Sequence, residues 1–342
     1  MLQHLLLMVV LLGSGSVMSV QRAGGQGVST VPSSDLPIVG IAHVTFKVTD
    51  LAKARAYYQG VVGLPEAFEI KDSSGKTSSV FFSVNDDQFV EVTPTLKPGE
   101  LTRQARVVFE SSDLEKLHSL YTARGLNPGK INTGPDGNPV FRIVDPEGND
   151  LDFLQYVPGS QQTKLRGKFA AVSGRVSTHL LHAGLMVKDR ANVASFYAAK
   201  LGFTQGRLPG SRGEYIEMTS SDKNTETKYP PLDPDNPATH DQYVREQHGA
   251  VQHIGLEVSD IRAARDLLQK RGGFTDLQVR AHVGNSRHWL VHVFDPDGSR
   301  TEIMETALQD TLPPMTVMAP GAPAPPILPK TPGVLPWPPL DW

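Results

Sequence analysis

The sequence contains no cysteine in 342 residues. That excludes disulfides, thiolate metal ligands, a cysteine nucleophile and a lipid-anchored N-terminal cysteine, so any bound metal must be held by nitrogen and oxygen. An excess of either charge is also missing: 33 Lys and Arg stand against 36 Asp and Glu, with no basic run. Such a surface offers no electrostatic footprint for nucleic acid or an anionic membrane, and small molecules are the expected partners. The apolar run from Leu5 to Leu12 is too short to span a bilayer, so no membrane span is expected. A monomer or a homodimer is expected.

What is present is enough chain for two ordinary domains, each able to bury a core. The N-terminus reads MLQHLLLMVVLLGSGSVMSV, with small residues after the apolar run and an acceptable cleavage site at Val17-Met18-Ser19. Residues 1–19 are therefore expected to be a signal peptide, with export to the periplasm or the extracellular space. Residues 20–37 are rich in Gly, Ser and Gln and read as a flexible linker. Residues 308–342 are so dense in proline that neither helix nor central strand can form, and an extended tail is expected. Trp337 and Trp342 give that tail large apolar groups that gain by docking on a surface.

Between these ends the chain repeats itself. IAHVTFKVTDLAKARAYYQGVVGL, from Ile41, matches LLHAGLMVKDRANVASFYAAKLGF, from Leu180. QARVVFESSDLEKLHSLYTARGL, from Gln104, matches VQHIGLEVSDIRAARDLLQKRGG, from Val251. Each pair shows an alternating strand, an Asp at a helix start, an amphipathic helix and a terminal Gly. Two units finish with nearly the same phrase, FRIVDPEGNDLDFLQY and VHVFDPDGSRTEIMET, in which Asp-Pro-acid-Gly marks a tight turn between strands. The expected fold is α+β: four βαβββ units in two tandem modules, 38–157 and 178–307, joined by a polar linker over 158–177. Each module should form a curved, half-open mixed sheet with helices outside and its concave face free for a ligand.

These paired units, the phrase from Phe196-Tyr197 to Phe203 and the closing DPDGSRTEI resemble the vicinal-oxygen-chelate superfamily of glyoxalases, bleomycin-resistance proteins and extradiol dioxygenases. The resemblance covers nearly all the chain between the two tails. It implies metal ligands on the first and last strands of the units, which in module 2 are His182, His253, Glu302 and, as a fourth candidate, Glu217. In module 1 the corresponding residues are His43, Glu91 and Asp152, but Arg106 stands where the second histidine should be. A guanidinium cannot ligate a metal and repels a cation, so module 1 reads as a degenerate, structural half, or as a pocket where Arg106 pairs with Glu91, Asp152 or an anion. Two-module extradiol dioxygenases share that asymmetry.

The residue chemistry agrees with this assignment. Two imidazoles and a carboxylate with open positions suit non-haem Fe(II), the favoured metal, while a further carboxylate would suit Ni, Zn or Mn. Strand alternation puts His253 on the face opposite Ile254, Leu256 and Val258. His292 lies where the extradiol pattern has tyrosine, and with His282 it is a candidate acid or base of near-neutral pKa; His288 is read as a surface histidine. The insertion 220–249 has little apolar content and is expected to be a lid, with Tyr243 as a further acid–base candidate and Tyr229 and His240 as substrate contacts. The expected function is an exported, metal-dependent enzyme whose substrate chelates the metal through neighbouring oxygens, with the extradiol-type dioxygenase branch favoured. The alternatives are a glyoxalase-like lyase or isomerase passing through an enediolate, and a non-catalytic bleomycin-resistance-type binding protein.

Overall fold

The structure is a computed structural model that describes residues 36–100, 102–185, 194–206, 215–217, 226–228, 252–276, 278–283 and 288–306. The expected signal peptide, the proline-rich tail, and the candidates Tyr229, His240 and Tyr243 lie outside the described residues.

Two eight-stranded mixed sheets form, one per module, as the repeat predicts. In the first, β1 (Ile38–Lys47), β2 (Glu66–Lys71), β3 (Thr77–Ser83), β4 (Phe89–Thr93), β5 (Gln104–Ser111), β6 (Asn132–Thr133), β7 (Pro139–Val144) and β8 (Asp150–Leu154) take the order β2-β3-β4-β1-β5-β8-β7-β6. The second repeats that order with β9 (Leu180–Gly184), β10 (Thr204–Gly206), β11 (Tyr215–Glu217), β12 (Glu226–Lys228), β13 (His253–Val258), β14 (His282–Val283), β15 (Trp289–Phe294) and β16 (Arg300–Glu305). Within each unit the first and fourth strands pair in parallel, and the antiparallel pairs β1/β5 and β9/β13 join the two units of each sheet.

The crossover after each first strand is helical. α1 (Leu51–Arg55) starts where the Asp50 carboxylate accepts from the N–H groups of Ala52 and Lys53, and it continues as π-helical turns over Ala56–Val61. α2 (Leu114–Ala123) is capped in the same way by Asp113. The linker contains a short helix, α3 (Gln161–Leu165), capped by Ser160, where only a polar connection was expected. α4 (Ala194–Leu201) is π-helical at the position equivalent to the widened turns of α1. α5 (Ile261–Gly272) is capped by Asp260 and ends at Gly273, whose φ of 63° favours glycine.

The sequence suggests two separate cores, but one buried apolar cluster runs through both modules, because helices of one pack on helices and turns of the other. The α1 segment lies against α5. Tyr58 donates its hydroxyl to Asp295 at 3.3 Å, and the equivalent Tyr197 donates to Asp145 at 2.5 Å. Each aspartate belongs to the Asp-Pro-acid-Gly turn of the other module. A β-carbon added at Gly63 would sit 2.5 Å from Arg271 Nη1, and one at the equivalent Gly202 would sit 2.7 Å from Arg124 Nη1. Both glycines also have φ near 80°, so neither position tolerates a side chain.

Burial pushes the Asp295 carboxyl up to about 6, against the hydrogen bonds from Ser299 and Asp297. The folded chain therefore keeps this proton over a pH window, about 4 to 6, in which the unfolded chain releases it, so stability from this group falls as pH rises through that window. Asp295→Asn is expected to flatten the decline between those pH values by roughly 3 kcal/mol, at about 1.4 kcal/mol for each pKa unit. Urea unfolding at pH 4 and pH 6.5 measures it; identical slopes in variant and wild type would show that Asp295 ionises normally.

Candidate metal centre

The site sits on the concave face of the second sheet, where three neighbouring strands bring donors together. The β9/β13 ladder places His182 opposite Gly255, and the β13/β16 ladder places Gly255 opposite Glu302. Gly255 is thus the floor between two functional strands. A β-carbon there would lie 2.1 Å from Cε1 of His182, so only glycine leaves the ring its place. Ile254 and Leu256 point to the opposite face and are fully buried in the core, which fixes the register that presents His253 inward.

The donor atoms form a compact triangle. Nε2 of His182 lies 3.1 Å from Nε2 of His253 and 3.3 Å from Oε1 of Glu302, and His253 Nε2 lies 3.9 Å from Glu302 Oε2. All three residues are buried, His182 completely. Metal–ligand bonds of about 2.1 Å at right angles set neighbouring donors roughly 3 Å apart, so the triangle fits a divalent cation. Among the described residues this is the one group of three or more His and carboxylate ligands close enough to hold a metal.

Burial tends to raise the Glu302 carboxyl, but hydrogen bonds with His182 and His292 and the nearby His253 hold it well below the usual carboxylate range. The carboxylate is therefore ionised. His292, opposite Glu302 in the β15/β16 ladder, places Nε2 3.1 Å from Glu302 Oε2. Burial, reinforced by the charge of Arg300, lowers His292 to about 4. This corrects the near-neutral value expected of it: the ring is neutral at pH 7, placed to accept a proton and not to act as a cationic acid. His282, also lowered by burial, packs its ring edge against His292 with centroids 5.0 Å apart. His288 stands apart from this group, with Nδ1 2.7 Å from the Glu305 carbonyl.

Two residues escaped the sequence reading. Arg300 places Nη2 2.8 Å from Nδ1 of His253, and its position two residues before Glu302 on the same face was the available signal. The other is Glu226. The repeat makes Glu217 the counterpart of Glu91, yet the strand adjoining β9 is β12, which pairs Glu226 with His182. Glu217 lies one strand farther out on β11, opposite Glu226. The segment 220–249, expected to be a loop, thus supplies a sheet strand.

Module 1 holds guanidinium groups at the corresponding place. Arg106 Nη2 lies 3.2 Å from Glu91 Oε2 and its Nη1 3.8 Å from Asp152 Oδ2. Arg142, at the position of His292, donates to both oxygens of Asp152 at 2.6 and 2.9 Å and to Asp150 at 2.7 Å. Burial tends to raise the Glu91 carboxyl, but the hydrogen bond with His43 and the charge of Arg106 hold it at about 2. Guanidinium groups therefore neutralise these carboxylates, as the pairing of Arg106 with Glu91 and Asp152 anticipated.

A sequence model described as the Glyoxalase/Bleomycin resistance protein/Dioxygenase superfamily matches residues 40–153 and 179–303. Among solved structures the chain is similar to a mutant of homoprotocatechuate 2,3-dioxygenase from Brevibacterium fuscum, with 17% identity and a TM-score of 0.58 over 81% of this chain and 74% of that one. It is similar to the 2,3-dioxygenase LapB from Pseudomonas sp. KL28, with 15% identity and a TM-score of 0.54 over 78% of this chain and 93% of that one. It is also similar to the Mn(II)-bound glyoxalase from Novosphingobium aromaticivorans, with 17% identity and a TM-score of 0.55 over 79% of this chain and 83% of that one. No curated protein matches the chain. At these identities the structural likeness establishes the fold.

Two outcomes follow from the geometry. Gly255→Ala is expected to displace the His182 ring and weaken divalent-metal affinity at least about tenfold, the scale of disturbed ligand support, while the chain stays folded. Competition with a chromophoric chelator measures it, and unchanged affinity would show that the ring has room to shift. In module 1, Arg106→His alone is expected to leave one metal per chain, because Arg142 still clamps Asp152. Arg106→His with Arg142→His frees that carboxylate and should raise the metal content toward two by elemental analysis; a second metal in the single variant would contradict the clamp.

Proposed function

The chain belongs to the Glyoxalase/Bleomycin resistance protein/Dioxygenase superfamily, and from that membership we propose that it is a metal-dependent enzyme of the extradiol-type dioxygenase branch. Its substrate would chelate the metal through two neighbouring oxygens. The observation that carries the proposal is the buried triangle of His182, His253 and Glu302 in a module whose partner has Arg106 at the position of His253 and Arg142 at that of His292. A three-donor set leaves open positions, as oxygen chemistry requires. The 2,3-dioxygenases among the similar structures support the same branch.

His182, His253 and Glu302 would hold the metal. When bound, a divalent ion supplies Lewis-acid stabilisation of charge developing on substrate oxygen, and iron(II) adds reactivity toward dioxygen. The chain's own residues supply position and proton transfer. With Nε2–H of His292 directed at the ionised Glu302, the ring keeps its lone pair on Nδ1, and that atom accepts the proton a substrate hydroxyl gives up. His282 packs edge-on to the ring and limits its rotation. Glu302 in turn holds the imidazole tautomer, the role a carboxylate plays beside a general base.

A second reading, a lyase or isomerase passing through an enediolate, draws on the register of β12. The ladders set Glu226 beside His182 and Glu217 beside Glu226, so one glutamate position adjoins the strand of the first ligand and a second lies one strand farther out. Four protein ligands would leave two positions, enough for a chelating diolate but not for dioxygen as well. Export, read from residues 1–19, belongs to the same proposal. It argues against a reaction that needs a cytoplasmic thiol cosubstrate.

Iron(II)-reconstituted full chain is expected to hold one metal and to consume dioxygen with at least one member of a catechol panel. His182→Ala combined with His253→Ala is expected to lose both properties to background. Full metal content in that double variant would dismiss the site. A wild type that holds iron but consumes no dioxygen across the panel would move the assignment to the lyase or isomerase branch.

A further inference from the structure

Arg300 faces His253 across the β13/β16 ladder and shares its strand face with Glu302. Its Nη2 lies 2.8 Å from Nδ1 and 3.2 Å from Nε2 of His253, and 3.9 Å from Glu302 Oε2. A permanent positive charge thus touches two of the three donors of the metal triangle. The side chain is only 17% exposed, so solvent screens that charge weakly. In module 1 the matching position holds Asp150, opposite Arg106, and the sign of the charge is reversed.

A fixed cation beside a divalent-metal site acts in two opposite directions. It repels the metal, and it attracts any anion that joins the metal. We propose that Arg300 tunes the site for acidic ligands: its charge keeps the metal-only state weak and strengthens the state completed by an anionic, oxygen-chelating substrate. The proposal rests on the metal reading of His182, His253 and Glu302. One physical cause with two opposite consequences separates this role from a packing role, because a residue that merely supports the strand would weaken both equilibria when removed.

The test uses the full chain freed of metal and two probes, cobalt(II) alone and azide added to the cobalt-loaded protein. Cobalt affinity is read by competition with a chromophoric chelator, and azide affinity from the visible absorption of the bound cobalt. In Arg300→Gln, cobalt is expected to bind about tenfold more tightly and azide about tenfold more weakly, with Arg300→Lys within about threefold of wild type on both scales. Any other pattern in Arg300→Gln, including both equilibria weakened or both unchanged, overturns the proposal, and thermal unfolding of each variant confirms that it compares folded proteins. A wild type that binds no cobalt removes the metal reading and this proposal with it.

Discussion

A carboxylate buried on the inner face of a curved sheet must be answered by positive charge or by hydrogen-bond donors, since an isolated ion in that setting would cost several kcal/mol. Both modules bury one on the final strand, Asp152 on β8 and Glu302 on β16, and both are under a tenth exposed. They answer it differently. Asp152 is clamped by Arg142 and approached by Arg106, so its charge is satisfied by the protein itself. Glu302 is surrounded by His182, His253 and His292, imidazoles that are cations only when protonated. Arg300 lies 3.9 Å away, so the Glu302 carboxylate is not locked to a guanidinium as Asp152 is.

The contact between modules, by contrast, sets like chemistry at like positions. Tyr58 reaches Asp295, and Tyr197 reaches Asp145; Arg271 lies over Gly63, and Arg124 over Gly202. Each unit therefore completes a turn or a helix end in the other module, and neither sheet closes its convex side alone. The turn held by Tyr58 immediately precedes β16, the strand of Glu302 and Arg300. Module 1 thus contributes to the candidate metal site without a ligand, by fixing the start of the strand that carries two of its charged groups. This gives the metal-free half a structural reason to persist that needs no chemistry of its own.

Much of this was legible in the residues because it depends on local patterns. Strand alternation, Asp caps and terminal glycines announced four equivalent units, and the resemblance to the vicinal-oxygen-chelate superfamily implied His182, His253 and Glu302 within them. What depends on long-range register was not legible. Glu217 occupies a strand glutamate's place in the sequence, but β12 intervenes between its strand and β9, and nothing local in ETK identifies 226–228 as a paired strand. The depression of His292 likewise comes from burial and from Arg300, neither of which its own sequence neighbourhood reports.

The two halves also explain each other's sequences. At four matched positions module 1 carries Arg106, Arg142, Asp150 and Asp152 where module 2 carries His253, His292, Arg300 and Glu302. The first set is two cations and two anions; the second, with neutral imidazoles, is one cation and one anion. In the first set the guanidinium groups also answer Glu91, and in the second the one guanidinium lies 3.9 Å from Glu302. The difference lies in lone pairs. Arginine offers none, and its donors are spent on Asp150, Asp152 and Glu91. Histidine keeps one nitrogen lone pair when neutral, so the second set retains donors of the kind a metal ligand needs. On the proposed metal reading the two modules differ by permanent charge replaced with lone-pair donors, and Arg300 is the permanent charge that stays beside them.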